Sequence, residues 1–276
     1  MIEKDSPTNN NHTDAFAELE KGVFAALETY SNVHRGSGHY SVVTTHLYEQ
    51  AREFVLDYLG LKKSEYTLIF CSPAGAAALE ARLKPENYQK VSSREIGLPI
   101  GISAMAIFRK ALPKGAPSHT GGGTTRLVSK DWIIWARTPD RFEAGTPAII
   151  NVIVFARALQ LVKQYGKDIF RERAIEKLTP DKILFHDELE NYSGTELLEK
   201  LRQTMIGRGV QVPTMEGVKP FINLDNSAST PAFSPVWNTF RKALRQPAEV
   251  QQEIIQEVKR ICANMLGAPL ATYDVL

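Results

Sequence analysis

The chain has 276 residues, 43% of them hydrophobic, which is enough to bury a sizeable core in one large domain or two smaller ones. Its 33 basic residues nearly balance 31 acidic ones, and the formal charge of +2 is not gathered into the basic stripe that a nucleic-acid partner requires. Residues 1–14 are polar and acidic, which excludes a signal peptide or membrane span there, so we expect a cytoplasmic protein with no membrane contact.

The pattern along the chain alternates between helices and strands. We expect a polar tail and first helix over residues 1–30, and then a helix over 45–59 that Gly60 closes, because apolar residues recur there at helical spacing. The remaining predictions, in chain order, are a strand at 66–70, a helix at 74–83, strands at 102–108 and 132–136, helices at 147–165 and 195–205, a strand at 210–212, and helices at 235–244 and 248–266. This alternation indicates an α/β fold with a mixed, mainly parallel sheet.

Two distant segments share one layout. Residues 48–70 and 255–276 both run helix, Leu-Gly, linker, Tyr, strand, and the glycine precedes the tyrosine by six positions in both Gly60–Tyr66 and Gly267–Tyr273. An internal repeat is the favoured interpretation, although two helix-to-strand connections can also look alike by chance. The second copy stops where its strand would begin, so we expect the chain to be cut off within an element.

The segment Arg-Phe-Glu-Ala-Gly-Thr-Pro at 141–147 directly precedes the long predicted helix. Thr146 can cap that helix through its hydroxyl and Pro147 suits its first turn, so the free N–H groups beyond them could attract a phosphate. Good helix capping alone would also explain the pattern.

Together with the glycines at 121–123, this segment resembles the class V aminotransferases and cysteine desulfurases, which depend on pyridoxal phosphate (PLP). The resemblance implies that Gly145 and Thr146 reach the cofactor phosphate of a neighbouring subunit. It also implies that His34 and Arg35, in the segment 32–36, enter the substrate pocket. Residues 221–231, with Asn226, are similar to the opening motif of the family, Leu-Asp-Asn-Ala-Ala-Thr-Thr-Pro, which suggests that a second copy of the fold begins near residue 220.

Two departures from the family pattern bear on function. The phosphate-binding turn, Ser-Gly-Ala-Thr in the family, retains Ser72 here, but Pro73 removes an N–H donor and Gly75 replaces the threonine hydroxyl. Residues 92–101 fit the frame of the Schiff-base segment and place Glu95 where the lysine belongs, and a carboxylate cannot form the Schiff base.

A displaced lysine, Lys90 or Lys110, is the alternative, but both fall outside that frame. Because only 20 positions separate Gly75 from Glu95, the elements that hold the pyridine ring in the family have no counterpart, and much of the large-domain core is missing.

Other polar residues give weaker indications. His34 and His39 flank glycines and suit either a pocket or a solvated loop, whereas His186 beside acidic residues is typical of a solvated face, and we expect no metal site. The two cysteines, Cys71 and Cys262, lie far apart in apolar stretches, as buried thiols do.

The resemblance therefore predicts a partial PLP-dependent transferase-like fold, with a degenerate domain over residues 31–215 and the start of a second copy over 216–276. We expect a non-catalytic chain with a role in assembly, which does not bind PLP covalently. Its partner would be a complete aminotransferase-like copy or a homo-oligomer. The alternatives are one part of a split or shared-site enzyme acting on an amino acid, and non-covalent binding of a phosphate at Thr146.

Overall fold

The structure is a computed structural model, and it describes residues 14–33, 38–171, 176–185, 188–224 and 229–275. The helices are α1 (Ala15–Glu28), α2 (His39–Tyr58), α3 (Pro73–Glu80), α4 (Ile149–Tyr165), α5 (Pro180–Leu184), α6 (Gly194–Gln203), α7 (Ser234–Arg245) and α8 (Ala248–Met265). The strands are β1 (Tyr66–Cys71), β2 (Tyr88–Ser92), β3 (Ser103–Phe108), β4 (Thr125–Val128), β5 (Ile133–Trp135), β6 (Gln211–Thr214) and β7 (Gly217–Pro220).

The central sheet has three strands in the order β1-β3-β2, and both of its pairings are antiparallel. The α/β class is confirmed, but the expected mainly parallel sheet is wrong for the described strands, since β4–β5 and β6–β7 are antiparallel as well. The physical reason lies in the connections. Parallel neighbours need a long crossover, usually a helix, whereas only residues 93–102 join β2 to β3.

The sheet lies between two unequal layers of helix. Leu68 and Phe70 of β1 point into the main core with α1, α2 and α4, while Ile69, which alternates with them, packs with α3 on the opposite face. The main core is filled by fully buried side chains such as Tyr48 and Phe155. One edge of the sheet, where β1 ends and α3 begins, carries the site described below.

Of the two C-terminal helices, α7 packs against this core. Trp237 and Leu244 of α7 belong to the main apolar cluster, and Arg245 forms ion pairs with Glu20 (2.5 Å) and Asp14 (3.1 Å), at the start of the chain. The division of the chain at residues 215 and 216 stays a prediction.

Most predicted elements are present within a few residues of their expected bounds. Strands β2, β4 and β7 were not predicted, because each is short and at least half of its residues are polar or exposed. No strand follows Gly267 among the residues described up to 275, which form turns. The final strand predicted for the second copy is therefore not seen there.

The ends of α2 and α8 nevertheless have the same backbone geometry. Gly60 and Gly267 follow them with φ of +70° and +62°, where glycine avoids the strain of a side chain. Five N–H···O=C bonds after α2 recur after α8: Leu59 to Val55, Gly60 to Asp57, Leu61 to Leu56, Glu65 to Lys62 and Tyr66 to Lys62 are matched by Leu266 to Cys262, Gly267 to Asn264, Ala268 to Ala263, Thr272 to Pro269 and Tyr273 to Pro269. The internal repeat itself stays a prediction.

Candidate functional site

A buried carboxylate, Glu143, joins three elements next to the sheet edge. The guanidinium of Arg52 in α2 donates to both of its oxygens, at 2.8 and 3.0 Å, and the Phe70 N–H of β1 donates to one of them at 2.8 Å. The Tyr48 hydroxyl lies 3.2 Å from the other oxygen. Only 8% of the Arg52 side chain and 7% of the Glu143 side chain are exposed, so this pair is shielded from water.

Two groups of this network, Arg52 and Tyr48, hold their protons more strongly than usual. Burial lowers the pKa of Arg52, but the attraction and hydrogen bonds of Glu143 outweigh burial, and the pKa lies above its ordinary value. Burial and the nearby Glu143 raise the pKa of Tyr48, so its hydroxyl remains a donor. Arg52 also donates to the Leu68 carbonyl at 2.6 Å. The segment that follows Glu143 is therefore fixed to α2 and β1 by a paired and hydrogen-bonded ion pair.

A cavity of about 560 Å³ opens beside this network. Its wall combines the start of α3, the loop at 119–121 and the segment 142–148. Ser72 and Gly75, from the expected phosphate turn, and Gly145 and Thr146, from the expected phosphate-binding segment, all line it. The structure thus brings the two predicted phosphate-binding elements together within one chain.

The glycine triplet connects the rim of this cavity to the β4–β5 hairpin. The Gly145 N–H donates to the Gly122 carbonyl at 2.9 Å, and Thr124, which is fully buried, bonds Gly121 through its hydroxyl at 2.7 Å. Gly145 itself has a φ of +83°. Two contacts therefore hold the segment at 143–146 in place: the ion pair of Glu143 with Arg52, and the hydrogen bond from Gly145 to Gly122 of the triplet.

Ser72 and Thr146 differ in what their hydroxyls do. Ser72 caps α3 by accepting from the Gly75 N–H at 3.1 Å. The prediction that Thr146 caps the next helix is wrong, because α4 begins at Ile149 with Ala148 as its N-cap and no side-chain cap bond. Ala148 has a φ of −73° and a ψ of +68°, outside the helical region, so the helix starts two residues later than a cap at Thr146 would require. Thr146 is exposed at the cavity rim.

Glu95 lies in the turn after β2 and is exposed. Its carboxylate accepts from the Ser92 hydroxyl at 2.8 Å, and its backbone carbonyl accepts from Arg171. Glu95 does not line the cavity, whose wall receives Gly101 and Ile102 from the same β2–β3 connection. The position that the lysine frame assigns to the Schiff base is therefore outside the candidate site.

The residues around this cavity do not fit covalently held PLP. The described lining contains neither lysine nor arginine, and His119, an exposed side chain, is its only basic residue. Pro73 donates no N–H, and the Ser72 hydroxyl already accepts from Gly75. A phosphate dianion placed there would lack a fixed positive partner.

Sequence reasoning did not single out the Arg52–Glu143 pair. A signal was available, since Tyr48 and Arg52 are four residues apart on the apolar face of a predicted helix, where a charged side chain requires a partner. Of the predicted substrate-binding residues, His34, Arg35 and Asn226 lie outside the described residues, as does His186.

The described part of the chain has no helix long and apolar enough to cross a membrane. It also holds no group of three or more His, Cys, Asp or Glu side chains that could ligate a metal ion. Cys71 and Cys262 form no disulfide, and both are half-buried rather than buried as expected.

Comparison with known proteins yields a consistent set of relatives. The sequence model of the family Aminotransferase class-V matches residues 89–207. A probable cysteine desulfurase from Staphylococcus aureus is 39% identical over 70 residues, which are 25% of this chain and 17% of that protein. Another from Halobacterium salinarum is 29% identical over 129 residues, or 45% of this chain and 31% of that protein. The chain thus spans less than a third of the length of these curated relatives.

Among solved structures, the apo cysteine desulfurase from Thermococcus onnurineus NA1 overlaps 60% of this chain and 73% of its own, with a TM-score of 0.44 and 17% identity. The cysteine desulfurase CsdA from Escherichia coli overlaps 57% of this chain and 66% of its own, with a TM-score of 0.44 and 16% identity.

Proposed function

Because this chain is related to the class V aminotransferase and cysteine desulfurase family, we propose that it is a non-catalytic member that serves a PLP-bearing partner. The observation that carries this proposal is the contrast between two parts of the site. The segment with Gly145 and Thr146 is rigidly held, whereas Glu95 replaces the Schiff-base lysine and lies outside the cavity.

The rigid segment suits a role in assembly. A side chain that contacts a partner contributes more when its backbone is already ordered, because less conformational freedom is lost on binding. Thr146 is exposed, its hydroxyl is not used for helix capping, and Glu143 fixes the backbone three residues earlier. In a complex with a complete relative, Gly145 and Thr146 would contact the partner's cofactor phosphate.

The chain alone should therefore neither carry nor use the cofactor. We expect no sulfide release from L-cysteine in the presence of PLP, and no reducible adduct with borohydride. The variant Glu95→Lys sharpens the test, since it restores the lysine in the sequence frame but places it outside the cavity.

Wild type and Glu95→Lys should both remain unlabelled at position 95 after PLP and borohydride, as read by peptide mass spectrometry. A lysine-bearing cysteine desulfurase is the positive control. Efficient and specific labelling of the new lysine would show that position 95 does reach the cofactor, and would contradict the proposal.

A shared-site enzyme is the second candidate, and one observation favours it. Ser72, Gly145 and Thr146 line one cavity that lacks a lysine, so a partner's lysine could complete it. Desulfurase or transaminase activity would then appear only when the chain is mixed with a lysine-bearing relative. It would fall when Thr146→Ala replaces the wild type, whereas a mixture no more active than the relative alone would count against this candidate.

A further inference from the structure

Helix α8 carries an apolar stripe that the rest of the described structure covers only in part. Ile255, Val258 and Leu266 are 45%, 41% and 77% exposed, and Cys262 between them is half-buried. Their spacing of three, four and four residues places them along one side of the helix. We call these four residues the α8 stripe.

Only part of the apolar surface of α8 is in contact with other elements. Val250 and Ile254 are buried in a small cluster with Ile183 of α5, and this cluster does not include the α8 stripe beside them. An ordinary surface helix buries one continuous apolar face against its own core. Here only part of that face is used.

Helix α2 shows what a face of this kind contacts. The five matched hydrogen bonds that follow each helix put Ile255 in the position of Tyr48, Val258 in that of Ala51 and Cys262 in that of Val55. Those three residues of α2 are only 0%, 5% and 0% exposed. They are covered because α2 packs against α4.

The charges correspond in the same way. Lys259 occupies the position of Arg52, whose guanidinium is paired with Glu143 at the entrance to α4. Lys259 is half-buried at the edge of the α8 stripe and forms no ion pair with the described residues. The surface thus presents an apolar strip with an unpaired ammonium beside it. A complementary partner would supply an apolar helix and a carboxylate.

We propose that the α8 stripe docks a helix of another polypeptide that has the chemistry of Glu143 and α4, namely an apolar helix preceded by a carboxylate. A second copy of this chain is not the expected occupant, because its own α4 is already covered by α2. This docking site is independent of the proposed function, since it involves neither the cavity nor a cofactor.

The test uses a synthetic peptide of residues 143–166 with a fluorescent label, titrated with the full chain and followed by fluorescence anisotropy. We expect saturable binding. Val258→Asp should weaken it about tenfold or more, because the new carboxylate would lose its water on docking. The matched control Asn264→Asp adds the same charge at an exposed position on the opposite side of α8, out of i,i+3 and i,i+4 spacing with Lys259, and should leave the affinity unchanged.

The charge is tested separately. A peptide with Glu143→Gln should bind more weakly than the parent, and Lys259→Met in the chain should abolish that difference. Far-ultraviolet circular dichroism establishes that Val258→Asp remains folded, as expected for a residue exposed in the free chain.

Three results would overturn the proposal. One is the absence of saturable binding. Another is equal binding by Val258→Asp and wild type, which would place the peptide elsewhere, for instance in exchange for α4 itself. The third is self-association of the full chain in sedimentation that Val258→Asp abolishes, because a second copy would then occupy the stripe.

Discussion

Removing the Glu143 carboxylate is the sharpest perturbation of the site that the structure offers. Glu143→Ala would leave the Arg52 guanidinium buried without its counter-ion, and would also remove the acceptor of the Phe70 N–H. Breaking a buried ion pair from one side costs about 3–5 kcal/mol. In a chain of this size, such a loss lowers the melting temperature by roughly 10 °C.

A double-mutant cycle separates the pair from its surroundings. Replacing both partners, as Arg52→Met with Glu143→Leu, removes the unpaired charge, so the double variant should lose less stability than Glu143→Ala alone. What remains reflects the Phe70 N–H and the Leu68 carbonyl, at about 1–3 kcal/mol each when left without a partner.

The measurement is thermal and urea unfolding of Glu143→Ala, of the single variants Arg52→Met and Glu143→Leu, and of the double variant that combines these two, beside wild type. Glu53→Gln is a matched control, because Glu53 pairs with Lys63 on the surface, where both side chains are mostly exposed, and little change is expected. Simple addition of the two single losses in the double variant would refute the reasoning, since it would mean that Arg52 and Glu143 contribute independently.

Three further predictions concern a cap, a close contact and a thiol. Thr146→Ala should change the unfolding free energy by less than about 0.5 kcal/mol, because its hydroxyl caps no helix; a loss of 1 kcal/mol or more in urea unfolding would restore the capping role. Gly207→Ala should lower the melting temperature more than Gly209→Ala. Both positions have φ near +80°, but a Cβ at 207 would lie 2.6 Å from the Glu28 carbonyl oxygen, whereas the space at 209 is open. Equal losses of melting temperature in the two variants would contradict this contact. Burial, with smaller effects of Glu143 and Glu80, raises the pKa of the Cys71 thiol to about 12, so the thiol holds its proton when folded and ionises near its ordinary pKa when unfolded. This contribution to stability is complete below the unfolded pKa and is lost as pH rises through the folded one, so wild type should lose melting temperature over that range faster than Cys71→Ala; parallel curves would refute it.

Local sequence signals were sufficient for much of the fold. The helical periodicity of residues 45–59 and 147–165, and the glycines 60 and 166 that end these helices, predicted α2 and α4 because each helix buries an amphipathic face and is stopped by a residue with positive φ. The sheet direction could not be predicted in this way. The direction of the strands depends on which strands pair, and the short β2 has too few apolar residues to be predicted as a strand.

Part of the candidate site was predictable from the sequence, but its arrangement and the Arg52–Glu143 pair were not. Ser72 and the segment with Gly145 and Thr146 were predicted from the resemblance to the class V aminotransferases, and the structure brings them to one cavity. The motif did not reveal that Glu143 anchors this segment to Arg52, because that contact joins residues 91 positions apart. The position of Glu95 outside the cavity follows from the antiparallel β2–β3 connection, which spacing along the chain does not specify.

We propose that this chain, which is similar to the class V aminotransferases, does not carry its own cofactor. The most direct test of this proposal is the intact mass of the wild-type chain after incubation with PLP, reduction with borohydride and removal of free cofactor. We expect the unmodified mass, with only the trace labelling of surface lysines that the denatured chain also shows. A stoichiometric increase of one reduced pyridoxyl phosphate, located at a single lysine of the folded chain, would contradict it.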